Sequence, residues 1–230
     1  MNAIANRLAE VQRRIEHAEQ AHGRAPGSVR LLAVSKTRPP EDLLEAMWAG
    51  QRRFGESYLQ EALEKIDALR DHPLEWHFIG RIQSNKTRAI AENFAWVHSV
   101  ADAKHARRLN QQRPPELPPL NVCLQVMLDL EESKAGLSPD QARELAAEFT
   151  AFSRLRLRGL MTLPAPAAAF EQQRLPFRRL RQLLQELRPL APGLDCLSMG
   201  MSDDLEAAVA EGATIVRIGT AIFGPRQRQA

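Results

Sequence analysis

The sequence predicts an α/β fold, a (β/α)8 barrel of the TIM type with an extra helix ahead of the first strand. Three observations lead there. Eight short apolar runs alternate with amphipathic stretches from residue 30 to residue 224. Most of these runs are continuously apolar, as expected of strands covered on both faces. The length of 230 residues lies near the ~250 typical of such barrels, and regular alternation implies parallel strands with right-handed crossovers. An open doubly wound sheet is the runner-up, but it usually has fewer strands. The chain reads as one domain, 1–230.

Each element has its own signal. Ile4, Leu8, Val11 and Ile15 recur at helical spacing and predict the leading helix, which Gly23 can stop. "RLLAVSK" (30–36) is a strand, followed by the helix "PEDLLEAMWAG". "RRFGES" (52–57), "EWHFIG" (75–80) and "AWVHSV" (95–100) are the next strands, each with an amphipathic stretch behind it. "LNVCLQVM" (120–127) leads through the polar loop "DLEESKAGLS" to the helix "PDQARELAAEFTAF". "LRLRGLMTL" (155–163) precedes an arginine-rich helix from about 168 to 190, in which Pro176 predicts a break or kink. "DCLSMG" (195–200), a helix beginning near Ser202, and the strand "TIVRIGTAIFG" (214–224) complete the pattern. Ser202 suits an N-cap, with Asp203 and Asp204 in the first turn. The proline-rich "RPPELPP" (113–119) reads as a loop, not a domain boundary.

Composition narrows the function. The 31 basic and 28 acidic residues leave a net charge of +3, too balanced to imply nucleic-acid binding. Cys123 and Cys196 are far apart and form neither a disulfide framework nor a zinc spacing. The N-terminus lacks the apolar core of a secretory signal, and no apolar run is long enough to span a bilayer. The expectation is a cytoplasmic protein in a reducing compartment.

Chemistry in a barrel belongs at the carboxyl ends of the strands. The first run ends on Lys36, the second on Glu56 and Ser57, and the seventh on Ser198, Met199 and Gly200. The eighth carries Arg217, Gly219 and Thr220. Small residues after the last two strands let backbone N–H groups approach an anion, where barrels commonly bind phosphate. Lys36 at a strand mouth suits either plain solvation or condensation with a carbonyl compound, once desolvation or nearby cations free its amine. Arg217 inside the apolar "TIVRIG" needs a ligand or a partner, because an unpaired buried charge is costly. Pyridoxal phosphate offers a pyridine nitrogen to such a group. A phosphorylated metabolite held without any covalent link stays open on these features.

At these residues the chain resembles a known family. "AVSKTRP", "FGES", "WHFIGRIQSNK", "RGLMTLPAP", "LSMGMSDDLEAAVAEG" and "VRIGTAIFG" span about residues 31–224. Together they are similar to the pyridoxal-phosphate homeostasis proteins, single-domain relatives of the barrel half of alanine racemase. The resemblance implies pyridoxal 5′-phosphate bound as a Schiff base on Lys36. It implies phosphate contacts from Ser198, Gly219 and Thr220, with Arg217 facing the pyridine nitrogen. Ser57, His77 and Met199 complete the expected cofactor-binding set, which contains no metal ligand and no catalytic residue. Ser57 stands where the family usually has asparagine, and "IQSNK" (82–86) is a family hallmark that a polar turn also explains.

The implied function is carriage, buffering or delivery of the cofactor inside the cell, without substantial turnover. A pyridoxal-phosphate-dependent amino-acid racemase or decarboxylase is the alternative. Arginine opposite the pyridine nitrogen tends to leave it unprotonated and the ring a weaker electron sink. Racemisation needs acid–base groups on both faces of the substrate, and the fold-type relatives take one from a tyrosine of an additional β-domain. Here Tyr58 is the one tyrosine, and "PRQRQA" is all that follows Gly224. His77 is a candidate base, though a core role is the plainer expectation; Lys86 and Lys134 read as solvated. The expected partners are the small-molecule cofactor and, transiently, cofactor-dependent enzymes. Neither nucleic acid nor membrane is expected, and the expected state is a monomer.

Overall fold

A computed structural model describes residues 3–128 and 136–225. Lys134, most of the polar loop that ends at Ser138, and the tail beyond Pro225 lie outside the described residues. Eight parallel strands close into a barrel in chain order. They are β1 (Arg30–Val34), β2 (Arg53–Glu56), β3 (Glu75–Phe78), β4 (Trp96–Val100), β5 (Leu120–Gln125), β6 (Leu155–Met161), β7 (Cys196–Ser198) and β8 (Ile215–Ile218). Closure is made by β8 against β1, with Arg30 beside Ile215 and Ala33 beside Ile218.

The leading helix α1 (Ala3–Ala21) is the extra element. It buries Ile4, Leu8, Val11, Ile15 and Ala18, the stripe that the spacing predicts. The outer helices are α2 (Pro40–Trp48), α3 (Leu59–Ala68), α4 (Thr87–Asn93), α5 (Ala103–Gln112), α6 (Pro139–Glu148), α7 (Phe170–Leu187), α8 (Leu205–Ala210) and α9 (Thr220–Phe223). Local chemistry sets several starts. Pro40 opens α2, Asp102 caps α5 by accepting from the Lys104 amide, and Ser138 with Gln141 forms a capping box on α6.

Apolar side chains fill two layers. Outward residues such as Leu31, Ala33 and Val97 meet the helices. Inward residues Leu32, Trp96, Cys123, Met161, Cys196 and Ile215 plug the barrel. Neighbouring positions serve opposite layers because successive strand side chains point to opposite faces. No helix among the described residues is long and apolar enough to cross a membrane.

Three details differ from the expectation. The last run is not one strand: β8 ends at Ile218, and Thr220–Phe223 forms the short helix α9, closed by Gly224 at φ 82°. Eleven residues exceed the four that this strand contributes to the barrel. Helix α7 runs through Pro176 without a break. Proline removes one intrahelical donor, while Phe177, Leu180, Leu183, Leu184 and Leu187 keep the helix seated. Helix α8 begins at Leu205, and Ser202 does not cap it. Instead Asp204 Oδ1 accepts from the Met201 amide at 2.5 Å and closes the turn ahead of the helix.

Candidate functional site

The carboxyl-terminal mouth of the barrel holds a cleft of about 550 Å³. Lys36, Ser57, Arg217, Gly219 and Thr220 all line it. These five come from the ends of β1, β2 and β8, so barrel closure brings together residues that stand up to 184 positions apart (220 − 36). Val34, Ile79 and Met161 supply an apolar floor, and Arg14 reaches in from α1.

Lys36 is half-buried and sits in the turn after β1. A buried ionic cluster fixes that turn from behind. Lys65 Nζ donates to the Ser35 carbonyl and to Glu56 Oε1, both at 2.8 Å, and to Glu61 Oε1 at 2.5 Å. Ser35 Oγ donates to the same Glu56 oxygen at 2.6 Å, and the Thr37 amide donates to Glu61 at 2.6 Å. Thr37 holds a positive φ of 64°, unusual for a β-branched residue, and the Glu61 bond pins it there. Burial raises the Glu56 carboxyl above its usual range, and Lys65 opposes the rise.

Arg217 is buried within β8. Its Nη1 donates to the Ser198 carbonyl at 2.5 Å and to Ser198 Oγ at 2.9 Å, and Nη2 donates to the Thr162 carbonyl at 2.9 Å. Burial lowers it from the ordinary arginine value to about 10. It therefore carries its charge at neutral pH among neutral acceptors. A Cβ at Gly219 would lie 3.1 Å from the Val34 carbonyl oxygen, so glycine suits the place where β8 turns into α9 beside β1. The first turn of α9 carries backbone N–H groups that a helix start leaves without intrahelical acceptors.

The other expected residues sit elsewhere. Ser198 is fully buried beneath Arg217 and does not line the cleft. Met199 follows it just past the end of β7 and packs in the outer core. His77 is fully buried deeper in the barrel, where it stacks on Trp96 with centroids 5.5 Å apart. Its Nε2 meets Glu75 Oε1 and its Nδ1 meets His98 Nε2, both at 2.9 Å. Lys86 ends a turn ahead of α4, in which Ser84 Oγ meets His105 Nε2 at 3.2 Å. That turn is the physical content of "IQSNK" in this structure.

Sequence reasoning missed Arg14. The guanidinium pairs with Glu206 at 2.9 Å and donates to the Ser202 carbonyl at 2.9 Å, tying α1 to the turn after β7. Its partners lie about 190 positions away, and on the sequence it is one polar residue of an amphipathic helix.

Comparison with known proteins agrees with this fold. Residues 7–227 match the family described as "Alanine racemase, N-terminal domain". The chain is 58% identical over 226 residues to the pyridoxal phosphate homeostasis protein of Pseudomonas aeruginosa, covering 98% of this chain and 97% of that one. It is 49% identical over 229 residues to the protein of the same name from Escherichia coli K12, covering 98% of each. Its fold is similar to that of PipY from Synechococcus elongatus, solved with PLP bound. The TM-score is 0.85 at 39% identity, over 96% of this chain and 100% of that one. The chain belongs to the pyridoxal phosphate homeostasis protein family.

Proposed function

We propose that this protein binds pyridoxal 5′-phosphate at Lys36 and serves its homeostasis in the cell by carriage, buffering or delivery, without substantial substrate turnover. One observation carries the reading: Lys36 and Arg217 line the same cleft as the Gly219–Thr220 turn. The residues fit the cofactor. They offer a primary amine for its aldehyde, a guanidinium for its ring nitrogen, and backbone N–H groups with a hydroxyl for its phosphate. When bound, the cofactor supplies an aldehyde that condenses with a primary amine, with loss of water.

This chain's residues do the rest. The Lys65 cluster holds the turn that presents the Lys36 amine. Arg217 is anchored by Ser198 and Thr162 and remains a donor at neutral pH, since its value stays near 10. A donor there leaves no proton for the ring nitrogen and keeps the electron sink weak. Val34, Ile79 and Met161 exclude water from the floor. Among the described residues lining the cleft there is no histidine or tyrosine, which favours holding over acid–base turnover. The reading treats residues 1–230 as one binding domain, a cytoplasmic monomer that meets cofactor-dependent enzymes transiently.

The test is chemical. Borohydride treatment of the loaded protein, followed by peptide mapping, is expected to fix the cofactor on Lys36, and Lys36→Ala is expected to abolish the adduct. Labelling of another lysine overturns the assignment. Robust solvent deuterium exchange at the α-carbon of an amino-acid panel overturns the non-catalytic part.

A further inference from the structure

An unbroken chain of polar contacts runs through the barrel interior, beneath the cleft. Glu75 opens β3 at the amino-terminal mouth, where its side chain is 40% exposed. Its Oε1 meets His77 Nε2 at 2.9 Å; His77 Nδ1 meets His98 Nε2 at 2.9 Å; His98 Nδ1 meets Ser198 Oγ at 2.7 Å; Ser198 Oγ meets Arg217 Nη1 at 2.9 Å. His77, His98 and Ser198 are fully buried. Five residues from four strands thus link one mouth of the barrel to the other.

Between these two ends, a pair of neutral imidazoles leaves one direction for every proton. A guanidinium only donates, and an ionised carboxylate only accepts. Arg217 therefore donates to Ser198. Ser198 O–H donates to His98 Nδ1, His98 Nε2–H donates to His77 Nδ1, and His77 Nε2–H donates to Glu75. Each neutral imidazole then carries its one proton on Nε2. The surroundings agree: burial holds His77 below its usual range and His98 well below it. The His77 bond holds the Glu75 carboxyl below its usual range against burial. Charged groups face the relay at its ends. Arg53 lies 3.4 Å from Glu75, Arg30 and Arg158 flank the Trp96 ring, and Asp204 acts on Arg217. The Cys123 and Cys196 thiols lie in the same interior.

We propose that Glu75, His77, His98 and Ser198 form a one-way hydrogen-bond relay that positions Arg217 at the cleft and transmits a change of charge at the opposite mouth to it. They are positioning residues, since Arg217 alone of the five lines the cleft. The consequence for the cofactor rests on the function proposed above; the relay itself does not. Packing alone explains the burial of two histidines, but it sets no common proton direction across four successive contacts.

Long-range ¹H–¹⁵N spectra of the cofactor-free protein read the relay directly. His77 and His98 are expected to be neutral, both Nε2–H tautomers, from pH 7 to 9. An Nδ1–H tautomer or a charged ring at either position overturns the proposal. Glu75→Gln removes the terminal charge far from the cleft. It is expected to move the Arg217 Nε–H resonance and to weaken pyridoxal phosphate binding on the order of fivefold. An unmoved Arg217 resonance with unchanged affinity overturns the transmission. Should that variant fail to fold, Ser198→Ala is expected to shift the same resonance and Ser198→Thr, which keeps the hydroxyl, to restore it; identical behaviour of the two overturns the positioning role. Failure of Lys36 labelling in the unaltered protein would strike the cofactor reading and leave the relay spectra standing.

Discussion

Lys36, Arg217 and the two buried histidines show how single residues acquire their chemistry from strand position. His77 and His98 are fully buried, and burial holds both below the usual histidine range. Below about pH 6.5 the unfolded chain binds protons that these folded imidazoles refuse. Stability therefore falls as pH drops, by about 1.4 kcal/mol per pH unit for each histidine until its folded value is reached. Urea unfolding at pH 7.5 and 5.5 is expected to differ by about 2 kcal/mol, and a variant with both histidines changed to glutamine is expected to lose most of that difference. An equal midpoint at the two pH values would sink the neutral assignment. At this scale the sequence was partly legible. Lys36 ends an apolar run and Arg217 interrupts one, so both announce themselves. Ser198 shows as a strand-end residue, but its contact with His98 does not, because the two lie 100 positions apart. Met199 packs in the outer core for a simpler reason: successive side chains of extended backbone turn to opposite faces.

Elements meet at the rim through close backbone approaches, and these explain several small residues. A Cβ at Gly80 would lie 2.0 Å from the Ser57 carbonyl oxygen. The loops after β2 and β3 thus touch where Ser57 enters the cleft, and Ser99 Oγ donates to the Gly80 carbonyl at 2.5 Å from β4. Gly80→Ala is expected to cost about 3 kcal/mol through overpacking against backbone, a fall in melting temperature of roughly 6–12 °C for a domain of this size. Calorimetry checks it, and a loss under about 1 kcal/mol would show that the two loops part freely. The periodic helices and the eight apolar runs were readable because burial on both faces leaves a continuous pattern. The arginines of α7 were not. Arg174, Arg178 and Arg181 converge on buried Glu211 at 2.8, 3.0 and 3.1 Å. A charge pair between neighbouring outer helices leaves no periodic trace. The β8–α9 boundary was hidden likewise, since "TIVRIGTAIFG" is apolar on both sides of the turn.

The whole barrel places its cleft unevenly, and that has a measurable consequence. Lining residues come from α1, the ends of β1, β2, β3, β6 and β8, and the turns at 201–203 and 219–221. Helix α1 binds this rim together: Arg14 holds the turn after β7, and Arg7 Nε donates to the Ile222 carbonyl of α9 at 2.7 Å. Helices α4 and α5 pack on each other, and neither lines the cleft. Pyridoxal phosphate at about 100 times its dissociation constant adds about 2.7 kcal/mol to the folded state, a rise in melting temperature of roughly 5–10 °C. Amide hydrogen exchange should show where that energy lands. Loading is expected to slow exchange in the turns at 201–203 and 219–221 and in α1, while local openings in α4 and α5 continue at their former rates. Helix α1 belongs with the turns because Arg14 and Arg7 cannot keep both contacts when either turn opens. Lys36→Ala should erase the effect at matched cofactor concentration. Protection confined to α4 and α5, or an N-terminal helix indifferent to loading, would mean that the rim does not close around the ligand as one unit.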